Sequence, residues 1–119
     1  MSLTKLLSIL SKLLFPKFCI LCDKYNYLLC EECELELKLN HRTLPDWIHS
    51  KYSYEDSDVR KLLFKLKYDH VEELGYILGQ YSRDYLKQKV KDGQFLLIPV
   101  PISKSRLSER GYNQALSVA

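Results

Sequence analysis

No run of roughly 20 apolar residues, the length needed to cross a bilayer, occurs anywhere in this 119-residue sequence. The most apolar stretch, Ser2 to Phe15, is interrupted by Lys5, Ser8, Ser11 and Lys12, which also excludes the unbroken core of an export signal. The expected compartment is therefore the cytoplasm, where thiols stay reduced and closely spaced cysteines more often hold metal. A strong excess of one charge is missing as well. The 18 basic and 15 acidic side chains leave +3, too little for a polybasic tail or a histone-like surface, so charge alone names no partner. Internal repeats, low-complexity tracts and long linkers are also absent. With 46% of its residues hydrophobic, the chain reads as one ordinary domain or as a small module joined to part of another.

What is present begins with Leu3, Leu6, Leu7, Leu10, Leu13 and Leu14, whose three- and four-residue steps predict an amphipathic helix over Ser2 to Phe15, ended by Pro16. Such a stripe can lie on a membrane or dock a partner helix, but packing on the rest of the chain is the expectation. Glu34 to Asn40 alternates leucines with charged residues and is left open between strand and helix. Trp47 to Tyr54 reads as a strand or extended edge. Ser57 or Asp58 is placed to cap a helix with Val59, Leu62, Leu63 and Leu66 inside, and a second helix should run from Val71 to Val90, stopped by a turn at Asp92 and Gly93. Phe95 to Val100, continuous and apolar before Pro101, fits a strand buried on both faces of a parallel sheet. A polar loop over Ile102 to Glu109 then leads to another helix from Asn113, with Ala115, Leu116, Val118 and Ala119 as its apolar members. The expected class is α/β, and the last helix, uncapped and short of partners, suggests a truncated chain.

Cys19-x2-Cys22 and Cys30-x2-Cys33 account for every cysteine. Two such pairs let four thiolates converge on one tetrahedral zinc ion, and a shell of four sulfurs leaves no position for an activated water, so the zinc would be structural. Zinc binding by small peptides contributes about 10 to 16 kcal/mol, more than so small a knuckle gains from burial, so metal should fold it. Merely buried or disulfide-linked thiols are the plainer alternative. His41, His49 and His70 lie outside the pairs and are expected to be surface or partly buried residues.

A second constellation follows the predicted strand: Ile98-Pro-Val-Pro-Ile-Ser-Lys-Ser-Arg-Leu-Ser-Glu-Arg-Gly-Tyr-Asn-Gln-Ala. Strand ends are where α/β sheets bind ligands. Arg106 and Arg110, with backbone amides at a helix start, would suit a phosphate or pyrophosphate, Gly111 allows close approach, and Asn113 and Gln114 can add polar contacts. A solvated basic loop reads equally well from these residues.

The two cysteine pairs, the Leu-Phe-Lys-Leu-Lys-Tyr stretch at 63 to 68, the Pro-Val-Pro strand end and Arg-Gly-Tyr-Asn-Gln-Ala together resemble, in that order, the ComF family of competence proteins. The resemblance covers nearly the whole chain. It implies a zinc knuckle and amphipathic helix over residues 1–45, followed over 46–119 by the incomplete start of a domain similar to type I phosphoribosyltransferases. By the same resemblance, Lys67 and the Arg106 to Gln114 segment would lie near a site for phosphoribosyl pyrophosphate and Mg, and single-stranded DNA and other competence proteins would be partners. One departure limits this. The family-typical strand ending in two adjacent acids and a Thr/Gly-rich loop has no counterpart, because Glu55, Asp56 and Asp58 stand before a lysine-rich helix. This chain by itself is therefore expected not to transfer phosphoribosyl groups. A zinc-stabilised module binding nucleic acid or protein without catalysis is the alternative, drawing on tyrosines interleaved with Lys61, Lys65 and Lys67; a remnant of a broken gene is a third reading.

Overall fold

The computed structural model describes residues 2–90 and 93–119. The turn expected at Asp92 falls outside them. The chain divides into two compact units, Met1–Glu36 and Leu37–Ala119.

In the first unit, α1 (Leu3–Leu14) forms where the leucine spacing predicts it. Its last turn closes with the Phe15 amide on the Ser11 carbonyl at 2.9 Å, and Pro16, which has no amide hydrogen, cannot extend it. The packing expected of its leucines is not observed: no residue of α1 is buried, and Leu13 is 71% exposed. After α1 the chain folds on itself through an antiparallel bridge between Phe18 and Tyr25, whose rings meet edge to face at 5.8 Å. Asp23 and Asn26 take the left-handed backbone conformation the reversal needs, at φ 60° and 72°, which their short polar side chains tolerate. The open question over Glu34 to Asn40 divides in two. Residues up to Glu36 belong to a short helix, α2 (Glu31–Glu36), whose first turn carries Glu31, Glu32 and Glu34 at the positive end of the helix dipole. Leu39 instead makes a single antiparallel bridge to Tyr52.

The second unit is helical. That bridge is flanked by Asn40 N–H to Lys51 O at 2.9 Å and Ser53 N–H to Lys38 O at 2.8 Å. Of the strand or extended edge expected over Trp47 to Tyr54 it forms only the part around Tyr52, because a Pro45–Ile48 turn and an exposed Trp47 break the run. α3 (Ser57–Tyr68) is capped not by Ser57 or Asp58 but by Asp56, which accepts from the Asp58 amide at 2.9 Å and, through its other oxygen, from the Lys38 amide at 2.8 Å. α3 buries Val59, Leu62 and Leu66, with Leu63 half-buried. α4 (Glu72–Lys89) buries Leu74, Gly75 and Leu78 and packs against α3 and against α6 (Gln114–Val118).

The α4–α6 contact depends on two glycines one turn apart. A Cβ on Gly75 would lie 2.6 Å from Ser117 Cβ and 3.3 Å from Leu66 Cδ1, and one on Gly79 would collide with the Val118 carbonyl. The member of α6 that is buried is thus Ser117, not Leu116, which is exposed.

The sheet half of the α/β expectation is not formed. Among the described residues no regular strand occurs, and Phe95, Leu97, Ile98 and Val100 are exposed. A strand satisfies its backbone only through a neighbour, and no described segment pairs with this one. The expected loop after it is in fact a helix, α5 (Lys104–Arg110), capped by the Ser103 hydroxyl and closed by Gly111 at φ 84°. Ser before and Gly after are ordinary helix start and stop signals.

Candidate metal centre and basic cleft

The knuckle gathers its sulfurs by backbone geometry. Cys19 and Cys22 flank the first tight turn, in which the Asp23 amide donates to the Cys19 carbonyl at 2.9 Å, and Cys30 and Cys33 flank the start of α2, where the Glu34 amide reaches the Cys30 carbonyl at 3.0 Å. Ile20 N–H to Leu28 O, at 2.9 Å, draws the two halves together. All four sulfurs lie within 4.8 Å of one another, with Cys22 Sγ and Cys30 Sγ 3.5 Å apart, and no disulfide links them. A tetrahedral ion with metal–sulfur bonds of about 2.3 Å needs its sulfurs roughly 3.8 Å apart, so this donor set fits. No histidine joins the cluster among the described residues.

The electrostatics prepare the sulfurs for a cation. Burial pushes the Cys19 thiol up, but the backbone amides of Cys30, Leu21 and Cys22, together with the Cys22 side chain, outweigh it and bring it down to about 6. The Cys30 amide lies 3.5 Å from Cys19 Sγ. Cys33 is raised by burial and by the three neighbouring sulfurs. Cys30 is also raised: the Cys33 amide favours its thiolate, yet burial and other neighbours prevail. Four thiolates this close repel each other, which is the condition a bound divalent cation relieves. The cluster can hold a metal ion such as zinc. Around it, Lys24 Nζ and Glu32 Oε1 pair at 2.6 Å, joining the loop between the cysteine pairs to α2.

In the second unit a cleft of about 300 Å³ is lined by Lys67, Tyr68, His70, Arg106, Glu109 and Arg110. Three of the residues singled out from sequence, Lys67, Arg106 and Arg110, therefore meet there. They do so unequally. Arg110 is buried, donates from Nε to the Lys67 carbonyl at 2.7 Å and hydrogen-bonds Gln114 through a second nitrogen, with its guanidinium 5.8 Å from the Tyr68 ring centre. Lys67 is half-buried and Arg106 exposed, so these two cations are more open to solvent than Arg110. The remaining three candidates do not line the cleft. Gly111 supplies the left-handed turn between α5 and α6. Asn113 caps α6 and donates to the Val100 carbonyl at 3.0 Å, and Gln114 accepts from Arg110.

Sequence reasoning missed Tyr68, His70 and Glu109 as lining residues. His70 had a readable signal: it follows Asp69, the C-cap of α3, at the position where helices commonly turn left-handed, and its φ is 57°. Its Nδ1 lies 2.9 Å from the Arg110 carbonyl. The acids before α3 are spent structurally, Asp56 as the cap and Glu55 in an ion pair with Arg42.

No family model matches the sequence and no solved structure matches it. A curated relative, the competence protein ComFC of Bacillus subtilis (strain 168), is 30% identical over 103 residues, which cover 82% of this chain and 41% of the relative. The chain thus spans about two fifths of the length of the relative it matches. Together with the paired cysteines and the Arg-Gly-Tyr-Asn-Gln-Ala segment, this similarity supports a ComF-family protein.

Proposed function

We propose that this chain serves natural competence, in a protein whose complete form binds phosphoribosyl pyrophosphate with Mg at a site that includes Lys67 and Arg106, and whose knuckle is folded by structural zinc. The observation that carries this reading is the similarity to a protein named for competence. The placement of Lys67, from the last turn of α3, and Arg106, from α5, in one open cleft supports the anion-binding part, since two converging cations suit a pyrophosphate. Glu109 in the same cleft leaves room for a cation alongside the anion. The chain has no acidic strand end to hold a ribose, so it would bind without transferring. Single-stranded DNA and other competence proteins would be its partners.

The test has two arms. Transformation frequency with donor DNA is measured in the organism that carries the gene, with the gene removed and then restored as wild type, as Cys19→Ser/Cys22→Ser, or as Lys67→Ala/Arg106→Ala. A deletion that transforms normally would overturn the competence role. Calorimetry with phosphoribosyl pyrophosphate and Mg on the purified chain and on Lys67→Ala/Arg106→Ala addresses the ligand.

One observation favours the alternative, a nucleic-acid module. Phe64 and Tyr68 are exposed on α3, their rings 5.0 Å apart, beside Lys61 and Lys65. Aromatic rings flanked by cations form a stacking platform for single strands. Under that reading, binding to a single-stranded oligonucleotide falls steeply with salt and is lost in Phe64→Ala/Tyr68→Ala, whereas phosphoribosyl pyrophosphate does not compete.

A further inference from the structure

The uncovered face of α1 is an apolar feature that neither the cysteine cluster nor the cleft uses. At about 100° per residue, Leu3, Leu6, Leu7, Leu10, Leu13 and Leu14 fall on one arc, with Ile9 at its margin. Thr4, Lys5, Ser8, Ser11 and Lys12 fill the other arc. No α1 residue is buried, although leucines at this density ordinarily mark a core face. No helix among the described residues is long and apolar enough to cross a membrane, so a spanning role is not what the stripe serves.

Charge decides between occupants. Residues 1–22 contain Lys5, Lys12 and Lys17 and no Asp or Glu; the first acid in the chain is Asp23. A helix partner in another protein or a second copy would be met equally well by a mixed-charge polar face. An entirely cationic segment with an apolar arc of leucines and a polar arc of small hydroxyl residues instead matches an anionic bilayer. Leucines enter the acyl boundary there, while lysines reach the headgroup phosphates. We propose that α1 lies in the plane of an anionic membrane surface, apolar arc down, and so tethers the zinc knuckle to lipid. This inference is independent of the cleft and of its ligand.

Flotation of the full chain with vesicles tests it. The expected result is co-flotation with vesicles of phosphatidylglycerol and phosphatidylcholine, much weaker with phosphatidylcholine alone, and falling with salt. Leu7→Asp/Leu10→Asp should abolish it. Lys5→Gln, Lys12→Gln and Lys17→Gln should each lower partitioning about fivefold, the effect of roughly one surface lysine on anionic lipid. Because these side chains are exposed, the variants should keep the knuckle's metal content, which is measured in parallel. Failure of the wild type to float with anionic vesicles overturns the proposal. So does equal binding to neutral vesicles, or a concentration-dependent dimer that Leu7→Asp/Leu10→Asp dissolves in the absence of vesicle binding.

Discussion

The Arg110 guanidinium donates from Nε to the backbone carbonyl of Lys67, 2.7 Å away in space and 43 positions distant in sequence. The last carbonyls of a helix have no partner within it. α3 meets this need with two side chains from the end of α5 and the turn after it: Arg110 takes the Lys67 carbonyl and the buried Tyr112 hydroxyl takes that of Leu66. Arg110 also puts a positive charge at the negative end of the helix dipole. It therefore holds the cleft wall in place, while Lys67 and Arg106 line the cleft without such a structural partner role at the helix end.

Arg110→Ala should accordingly act on stability. Loss of charged hydrogen bonds from a buried site costs about 1.5 to 3 kcal/mol, read as a lower urea midpoint with an unchanged slope. Arg106→Ala, which removes an exposed side chain, should change the unfolding free energy by less than about 0.5 kcal/mol. Tyr112→Phe should fall between them. Equal effects of the two arginine substitutions would contradict this division of roles.

Gly75→Ala should destabilise the second unit. Alanine is the better helix former by about 1 kcal/mol, but the added carbon would lie 2.6 Å from Ser117 Cβ, and overpacking of this kind costs about 1 to 3 kcal/mol. A lower thermal midpoint is expected, partly restored by Ser117→Gly. A raised midpoint in Gly75→Ala would mean that α6 is free to move aside.

Metal removal should unfold the knuckle and spare the helical unit. Elemental analysis is expected to give one zinc per chain, and a strong chelator should expose all four thiols to a thiol reagent. Cys33→Ser should lower metal affinity while α3 and α4 keep their helical circular dichroism. Unchanged thiol protection in the presence of chelator would count against a metal-held knuckle.

Asp56 supplies a pH dependence with a definite sign. The Lys38 amide holds its carboxyl below the usual carboxylate range against the opposing effect of burial, and the Asp58 amide adds to this. A group depressed in the folded state stabilises above its unfolded pKa of about 4 and loses that contribution as pH falls through its folded value. Urea midpoints should therefore drop from about pH 5 downward, and Asp56→Asn should flatten that drop. At neutral pH Asp56→Ala should cost about 1 kcal/mol or more, as helix caps do.

The four-cysteine cluster was legible because sulfur spacing is itself geometry: two Cys-x2-Cys units leave few other arrangements. α1, α3 and α4 were legible for the same kind of reason, since leucine periodicity and capping residues act within one or two turns. What was not legible depends on distant partners. Phe95 to Val100 has the composition of a buried strand, but composition provides no neighbour, and the run forms no regular element and is largely exposed. That Arg110 reaches the end of α3 was not legible, because nothing local to it indicates so distant a partner. α5 was read as a loop although Ser103 and Gly111 mark its two ends; its polar interior offered no periodicity to outweigh that reading.

The seam between α4 and α6 has a lopsided tolerance. On one side stand bare backbone positions at Gly75 and Gly79, where a single extra carbon has nowhere to go; on the other, the contact is made largely by main chain and by the first atom of Ser117. Substitution should thus be nearly forbidden at Gly75, Gly79 and the buried Ser117, and far freer at the outward positions of α6. The outward residues of α6, Leu116 among them, can change to suit whatever they face without loosening the grip.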